Sequence, residues 1–267
     1  MEGIICMNRH MFVVVAYKQS EHLAACLQSI QSQTDTCSIL ISTSTPSPWL
    51  DETAAKYGVP IVVSPAKTGI ANDWNFALKS ADSDYVTLAH QDDLFHPDYV
   101  KYVRAGALKY PDNSIIFCDY AELIDGISRK NNINLIIKRI LLLPMYLRPS
   151  LSHRWSKRYI QSLGNPICCP SVTYHKTVIP DFVFNPSYSI NLDWDAWLRI
   201  AEMKGSFVYV RKLLFFHRIH SLSETSSGLM DNRRQNEDRE IFARLWPKPV
   251  AKFFSSVYAL SYKSNQG

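Results

Sequence analysis

The sequence contains no run of 18 apolar residues, so no segment reads as a membrane-crossing helix. Its six cysteines, at positions 6, 26, 37, 118, 168 and 169, include no CxxC pair and no disulfide-framework spacing. They read as reduced, mostly buried thiols of a reducing compartment. There is no internal repeat and no low-complexity linker. The opening MEGIICMNRHMFVVVAY has its charged and apolar regions in the wrong order for a secretory signal, and no small-residue cleavage site follows. The expected location is therefore the cytoplasm. Acid is absent from a whole segment: positions 126 to 180 hold no Asp or Glu, whereas Arg129, Lys130, Lys138, Arg139, Arg148, Arg154, Lys157, Arg158 and Lys176 are all basic.

What is present is ordinary for a folded protein. Hydrophobic residues make up 46% and charged residues 20%, which excludes a disordered chain, and 267 residues suffice for one large domain. The net charge of +5 names no partner by itself, so its distribution carries the information.

The first half alternates short apolar runs with helical patterns. MFVVVAY (11–17), SILIST (38–43), VPIVVS (59–64), DYVTLAH (84–90) and SIIFCDY (114–120) read as strands. Between them, Leu23, Leu27 and Ile30 recur at helical spacing behind a capping Ser20. DETAAKYG closes a helix at Gly58, and GIANDWNFALKSA (69–81) and the stretch after Pro97 complete the set. Strands alternating with helices predict an α/β fold, with a mostly parallel sheet flanked by helices on both faces. Ligands of such sheets bind at the carboxyl ends of the strands. In the second half, INLDWDAWLRIAEMKG (190–205) reads as a helix with acids in its first turn and a stop at Gly205. SFVYVRKLLFFHRIH (206–220) reads as one or two strands, and an aromatic, basic tail follows.

The fourth strand ends in His90-Gln91-Asp92-Asp93. Adjacent carboxylates repel unless donors or a cation neutralise them, and hard oxygens suit Mg²⁺ or Mn²⁺ shared with a phosphate. The other reading of the residues alone is a loop in which one Asp caps the helix after Pro97. Likewise, Asp193 and Asp195 alone read as partners of a helix dipole.

Four pieces in chain order resemble a family 2 glycosyltransferase of the GT-A fold. VVVAYKQSEHLAACLQSIQSQT is similar to that family's opening strand, loop and first helix. KTGIANDWNFALKSADSDYVTLAHQDD resembles the stretch that ends in its acidic DxD motif, with His90 in the first Asp position. NLDWDAWLRIAEMKG resembles its acceptor-side helix, and FFHRIHSLSETS its closing R-x-H-S element. The resemblance implies a single catalytic domain over 1–247, with a nucleotide-sugar half at 10–120 and an acceptor half at 121–225, followed by a tail at 248–267. It implies transfer of one sugar from a nucleoside-diphosphate sugar, a UDP-sugar first among them, to a saccharide acceptor, with inversion. Such enzymes build O-antigen, capsule and related polysaccharides.

By the same resemblance, Asp92 holds Mn²⁺ or Mg²⁺ with Asp93, His90 and His220. His90 either ligates the metal or bonds the ribose. Ala16, Tyr17, Ser42, Thr43, Ser44, Lys67, Gly69, Asn75 and Gln91 join Asp92 around the donor, although ISTSTPS (41–47) lacks the family's acidic turn and also reads as a plain Ser/Thr turn. Arg218 and His220 meet the diphosphate. Asp193 is the base, Asp195 and Trp194 lie on the acceptor side, Asp195 also reads as a cap or brace of its helix, and Trp194 also reads as a core anchor. Two other classes stay open: a nucleotidyltransferase, which wants a glycine-rich loop that AYKQSEHL does not provide, and a non-catalytic sugar-nucleotide-binding protein. The acid-free segment is either a solvated basic face or a surface that meets the anionic inner face of the plasma membrane, which suits a lipid-linked acceptor. No nucleic-acid-binding motif is visible.

Overall fold

The first strand shows how the chain sorts its core. The computed structural model describes residues 9–65, 69–219 and 233–263. Strand β1 (His10–Ala16) sends alternate side chains to opposite faces of the sheet. Phe12, Val14 and Ala16 enter one hydrophobic cluster, with Leu23, Cys26, Leu27 and Ile30 of helix α1 (Leu23–Gln31). Val13 enters a second cluster on the other face. Two cores separated by one sheet are what helices on both faces produce.

The expected first-half elements form. They are β2 (Ser38–Thr43), α2 (Pro48–Tyr57), β3 (Ile61–Val63), α3 (Ile70–Ser80) and β4 (Tyr85–His90). A short β5 (Leu94–Phe95), helix α4 (Tyr99–Lys109) and β6 (Asn113–Ile124) follow. Helix α2 starts three residues before the expected Asp51, because Ser47 accepts from the Leu50 amide and Pro48 fits the first turn. It closes on Gly58 at φ 63°, as its sequence predicts. The Ser20 hydroxyl accepts from the amide of His22, the N-cap position, so Ser20 stands before the cap of α1 rather than at it.

The second half adds β7 (Ile127–Arg129), α5 (Ile133–Leu141), α6 (Leu143–Leu147), β8 (Ser150–Leu151) and α7 (Arg154–Tyr159). A 3₁₀ turn at Cys169–Ser171 leads to β9 (Val172–His175), then α8 (Leu192–Glu202) and β10 (Ser206–Arg218). Helices α9 (Arg233–Leu245) and α10 (Lys248–Lys263) close the described chain. The aromatic, basic tail is thus a helix, and its Tyr258 packs on Trp194 and Phe242.

The sheet runs β3-β2-β1-β4-β9-β6-β10-β5, with β7 on β6 and β8 on β10. The long ladders β1–β2, β1–β4 and β6–β10 are parallel. The fourth and fifth sequence-predicted strands do not touch directly. Between them lies β9, antiparallel to both, drawn from the stretch around Cys168 and Cys169. Strand β10 is continuous, but its register against β6 shifts after Ser206, Val210 and Leu213. Such shifts re-aim a strand end, and here they bring His217 and Arg218 to the acidic motif.

The turn into β10 depends on Gly205, at φ +90°. A Cβ there would lie 2.9 Å from both the Asp112 carbonyl oxygen and the Ser114 amide nitrogen. Gly205→Ala is expected to cost about 2–4 kcal/mol from backbone strain and crowding together. An unchanged midpoint in urea would contradict that.

The acid-free segment is not a uniformly solvated basic face. Lys157 is buried and donates to the Met203 and Gly205 carbonyls beyond the end of α8, at 2.9 and 3.0 Å. Lys176 donates to the Ala81 carbonyl, and Arg139 is paired with Asp119 at 3.0 Å. These cations are spent inside the fold.

Candidate active site

Strands β1, β2 and β4 are parallel and end together, at Ala16, Thr43 and His90. The loops beyond them form one rim. Gln91 fixes it: its side-chain amide donates to the Tyr17 carbonyl at 2.9 Å and accepts from the Tyr17 amide at 3.2 Å. The Lys18 amide donates to Thr45 Oγ1, and the Thr45 amide donates to Thr43 Oγ1. Ser42 and Thr43 are buried, Tyr17 is exposed, and Ser44 Oγ is buried without a hydrogen-bond partner.

The acidic motif sits on this rim. Asp93 is fully buried at 0% exposure, which a carboxylate tolerates only with donors or a cation. Its Oδ1 accepts from the Arg218 amide at 2.8 Å and shares a 3.1 Å hydrogen bond with His217 Nδ1. Arg218 Nε donates to the Asp92 carbonyl at 2.8 Å. The β5–β10 pairing locks the segment just after the motif to the same strand end. Burial alone would depress the His217 imidazole. The Asp93 carboxylate, with Asp92 behind it, overrides that and holds its pKa above the ordinary value.

Within the acidic motif, one atom of each of two side chains remains unsatisfied. Asp93 Oδ2 and His90 Nε2 are buried with no hydrogen-bond partner. One ligand atom each from His90, Asp92 and Asp93 lies within 4.8 Å of the others. Two carboxylates and an imidazole are a donor set that Mn²⁺ or Mg²⁺ fits. The Trp74 ring covers His90 at 5.3 Å between centroids.

Asp193 opens α8. Its Oδ2 accepts from Asn165 Nδ2 at 2.8 Å, and its Oδ1 from the Trp194 amide at 2.7 Å. Burial pushes its carboxyl pKa up, opposed by that amide, by the Lys138 charge, by Asn165 and by Arg234. The buried thiols of Cys168 and Cys169 lie close enough to both Asp93 and Asp193 to feel each charge. The acidic motif and Asp193 are thus both felt at the Cys168–Cys169 stretch that leads into β9.

The profile described as Glycosyl transferase family 2 matches residues 11–171, more than half of the chain. The chain belongs to that family. Solved structures share its fold. The S. aureus TarS fragment 1–349 is 13% identical at a TM-score of 0.63, over 92% of this chain and 69% of that one. The mannosyltransferase PcManGT from Pyrobaculum calidifontis, in complex with GDP-Man and Mn²⁺, is 13% identical at 0.64, over 97% and 76%. Glucosyl-3-phosphoglycerate synthase from Mycobacterium tuberculosis is 16% identical at 0.58, over 90% and 80%. No curated protein matches the sequence. This family 2 chain thus has the GT-A fold, a central mostly parallel sheet flanked by helices.

Several residues expected at the site have structural duties instead. Trp194 is 0% exposed and edge-on to Phe242 at 5.2 Å, so it offers no face to an acceptor. Asp195 is buried and paired with Arg244 of α9, with Arg199 at 3.8 Å, so it braces α8 rather than meeting a sugar. Asn75 spends its amide on the Phe184 backbone, donating at 2.9 Å and accepting at 2.6 Å, which clamps α3 to a distant loop. Gln91 holds Tyr17, as above. Ala16 is buried at the end of β1, and Gly69 is exposed at the start of α3. Lys67 and His220 lie outside the described residues.

Other residues enter the site without a clear sequence signal. His217 reads in sequence as an isolated strand-end histidine. Asn165 sits in an irregular stretch, and Glu237 lies on a helix remote in sequence. The Glu237 carboxylate accepts from the Ser189, Ile190 and Asn191 amides and the Ser189 hydroxyl, fixing the entry to α8 and so the position of Asp193.

Proposed function

We propose that this family 2 protein transfers a single sugar from a nucleoside-diphosphate sugar, a UDP-sugar by preference, to a saccharide acceptor, with inversion at the anomeric carbon. The observation that carries the reading is the pairing of a cation-ready acidic rim with a separately held, base-like carboxylate. The rim loops carrying Tyr17 and Ser42–Ser44 receive the nucleotide. Asp92, Asp93 and His90 would hold Mn²⁺ or Mg²⁺, which when bound offsets the charge of the departing diphosphate. His217 and the Arg218 amide keep Asp93 in place, and the Arg218 guanidinium lies beside the same motif, where it suits phosphate oxygens.

Asp193 accepts the proton of the attacking acceptor hydroxyl. A carboxylate whose pKa is raised by burial is a stronger base than an exposed one. Asn165 and the Trp194 amide fix the orientation of its two oxygens. The acceptor is a saccharide carried on a lipid, met at the inner face of the plasma membrane, in O-antigen, capsule or related polysaccharide synthesis. TarS has been crystallised with UDP-GlcNAc and PcManGT with GDP-Man, which supports a nucleotide-sugar donor. Incubating the protein and Mn²⁺ with a panel of UDP- and GDP-sugars, and following release of free nucleotide, tests the reading. Metal-dependent release from one donor is expected. Silence across the panel would favour a non-catalytic sugar-nucleotide-binding protein.

The pH profile carries a sign that can be checked. Asp193 acts only when ionised, so activity falls as pH drops through its raised pKa. The Lys138 cation lowers that pKa. Lys138→Met is therefore expected to move the acid limb of kcat/KM to higher pH. A limb that stays put or moves down would contradict the assignment.

A further inference from the structure

Helix α5 faces the opposite way from an ordinary surface helix. Its polar groups turn toward the protein. Asn132, at its start, bonds Glu122, Lys138 donates to the Tyr120 hydroxyl at 2.8 Å, and Arg139 grips Asp119. Leu135 enters the core, but the isoleucines turn out. Ile133 is 73% exposed, Ile136, Ile137 and Ile140 are exposed with it, and α6 continues the stripe through Leu143 to Leu147 at 88%. Within α5 the intervals of three and four residues from Ile133 keep Ile136, Ile137 and Ile140 on one face, and exposed Leu143 and Leu147 follow directly on α6. A contiguous apolar stripe of this length marks an interaction surface, because isolated apolar residues are common on proteins but aligned ones are not.

The charge around the stripe indicates the partner. Arg129 and Lys130 are exposed just before α5, and Arg148 is exposed just after α6. Exposed Arg211 donates to the Tyr146 carbonyl of α6. No acid lies anywhere between 126 and 180. A second copy of this chain would set these cations against their own kind, which disfavours a symmetric dimer. Apolar side chains rimmed by Lys and Arg match a bilayer, whose acyl boundary takes the former and whose anionic headgroups take the latter.

We propose that α5 and α6 dock on an anionic lipid bilayer, with Ile133, Ile136, Ile137, Ile140, Leu143 and Leu147 entering the headgroup–acyl boundary. The proposal rests on the transferase reading for its purpose. The inner side of the same helix carries Lys138, whose charge is felt at Asp193 and at His217. Docking by the outer side would hold the acceptor half of the chain, which carries α5 and α6, at the membrane surface, where a lipid-borne saccharide is held.

The test is flotation of the full chain with phosphatidylcholine vesicles, with and without phosphatidylglycerol. Binding is expected with phosphatidylglycerol at low salt, at least about tenfold weaker in high salt, where surface charges are screened. The exposed pair Ile136→Ser and Ile140→Ser should weaken it by about tenfold per residue, leaving melting temperature and nucleotide binding unchanged. Lys130→Gln with Arg148→Gln should weaken binding at low salt only. No flotation at low salt would overturn the proposal, as would an unchanged double serine variant. Sedimentation showing a dimer that the serine variant dissolves would also overturn it, assigning the stripe to a second copy. Nucleotide binding separates the two readings: a chain that binds nucleotide but does not float loses the docking surface alone, whereas one that floats but binds no nucleotide loses the transferase reading.

Discussion

Asp193→Asn is expected to lower kcat for sugar transfer by about 10²–10⁴-fold, the range that a positioned general base supplies. The substitution keeps the shape of the side chain and one carbonyl oxygen to accept from the Trp194 amide or Asn165. It removes the ability to take a proton. Because Asp193 lies away from the acidic rim in the chain and is held by Asn165 and the Trp194 amide, donor affinity should not change. A variant that transfers sugar at the parental rate would remove Asp193 from the reaction. A variant that loses nucleotide binding would place Asp193 in the donor pocket instead.

Trp194→Ala is expected to destabilise the fold by about 3–5 kcal/mol, the usual cost of truncating a buried tryptophan. Trp194 packs from α8 against Phe242 of α9 and Tyr258 of α10, so its loss opens a cavity at the joint that carries the base. Chemical unfolding should show the full loss, and the milder Trp194→Phe should recover much of it. A stable Ala variant with a raised acceptor KM would return Trp194 to the acceptor side and contradict the buried assignment.

These two neighbours show what the sequence discloses and what it conceals. The strands of the first half are legible because β-branched runs bounded by turn residues leave few alternatives. His90, Asp92 and Asp93 are legible because an apolar strand that stops on carboxylates is costly unless they have work to do. Trp194 as a core anchor is legible, but the partners of Trp194, Asp195 and Asn75 are not, because each lies far along the chain: Phe242, Arg244 and the Phe184 backbone. The insertion of β9 between β4 and β6 is hidden for the same reason, since four residues of strand carry no local mark of which neighbours they join. His217 is the clearest case. An isolated histidine at a strand end becomes a support for Asp93 only once the register shifts of β10 bring it there.

The central claim is that the rim at His90, Asp92 and Asp93 binds a nucleoside diphosphate with a divalent cation. The measurement that tests it most directly is the melting temperature of the purified chain with UDP or GDP, with and without Mn²⁺, beside the Asp92→Asn variant. Ligand that binds only the folded state stabilises it by about 2.7 kcal/mol at a hundredfold excess over Kd. The account predicts a clear upward shift with one nucleotide, dependent on Mn²⁺ and lost in Asp92→Asn. A shift that ignores both the metal and the substitution, or no shift with either nucleotide, would contradict it.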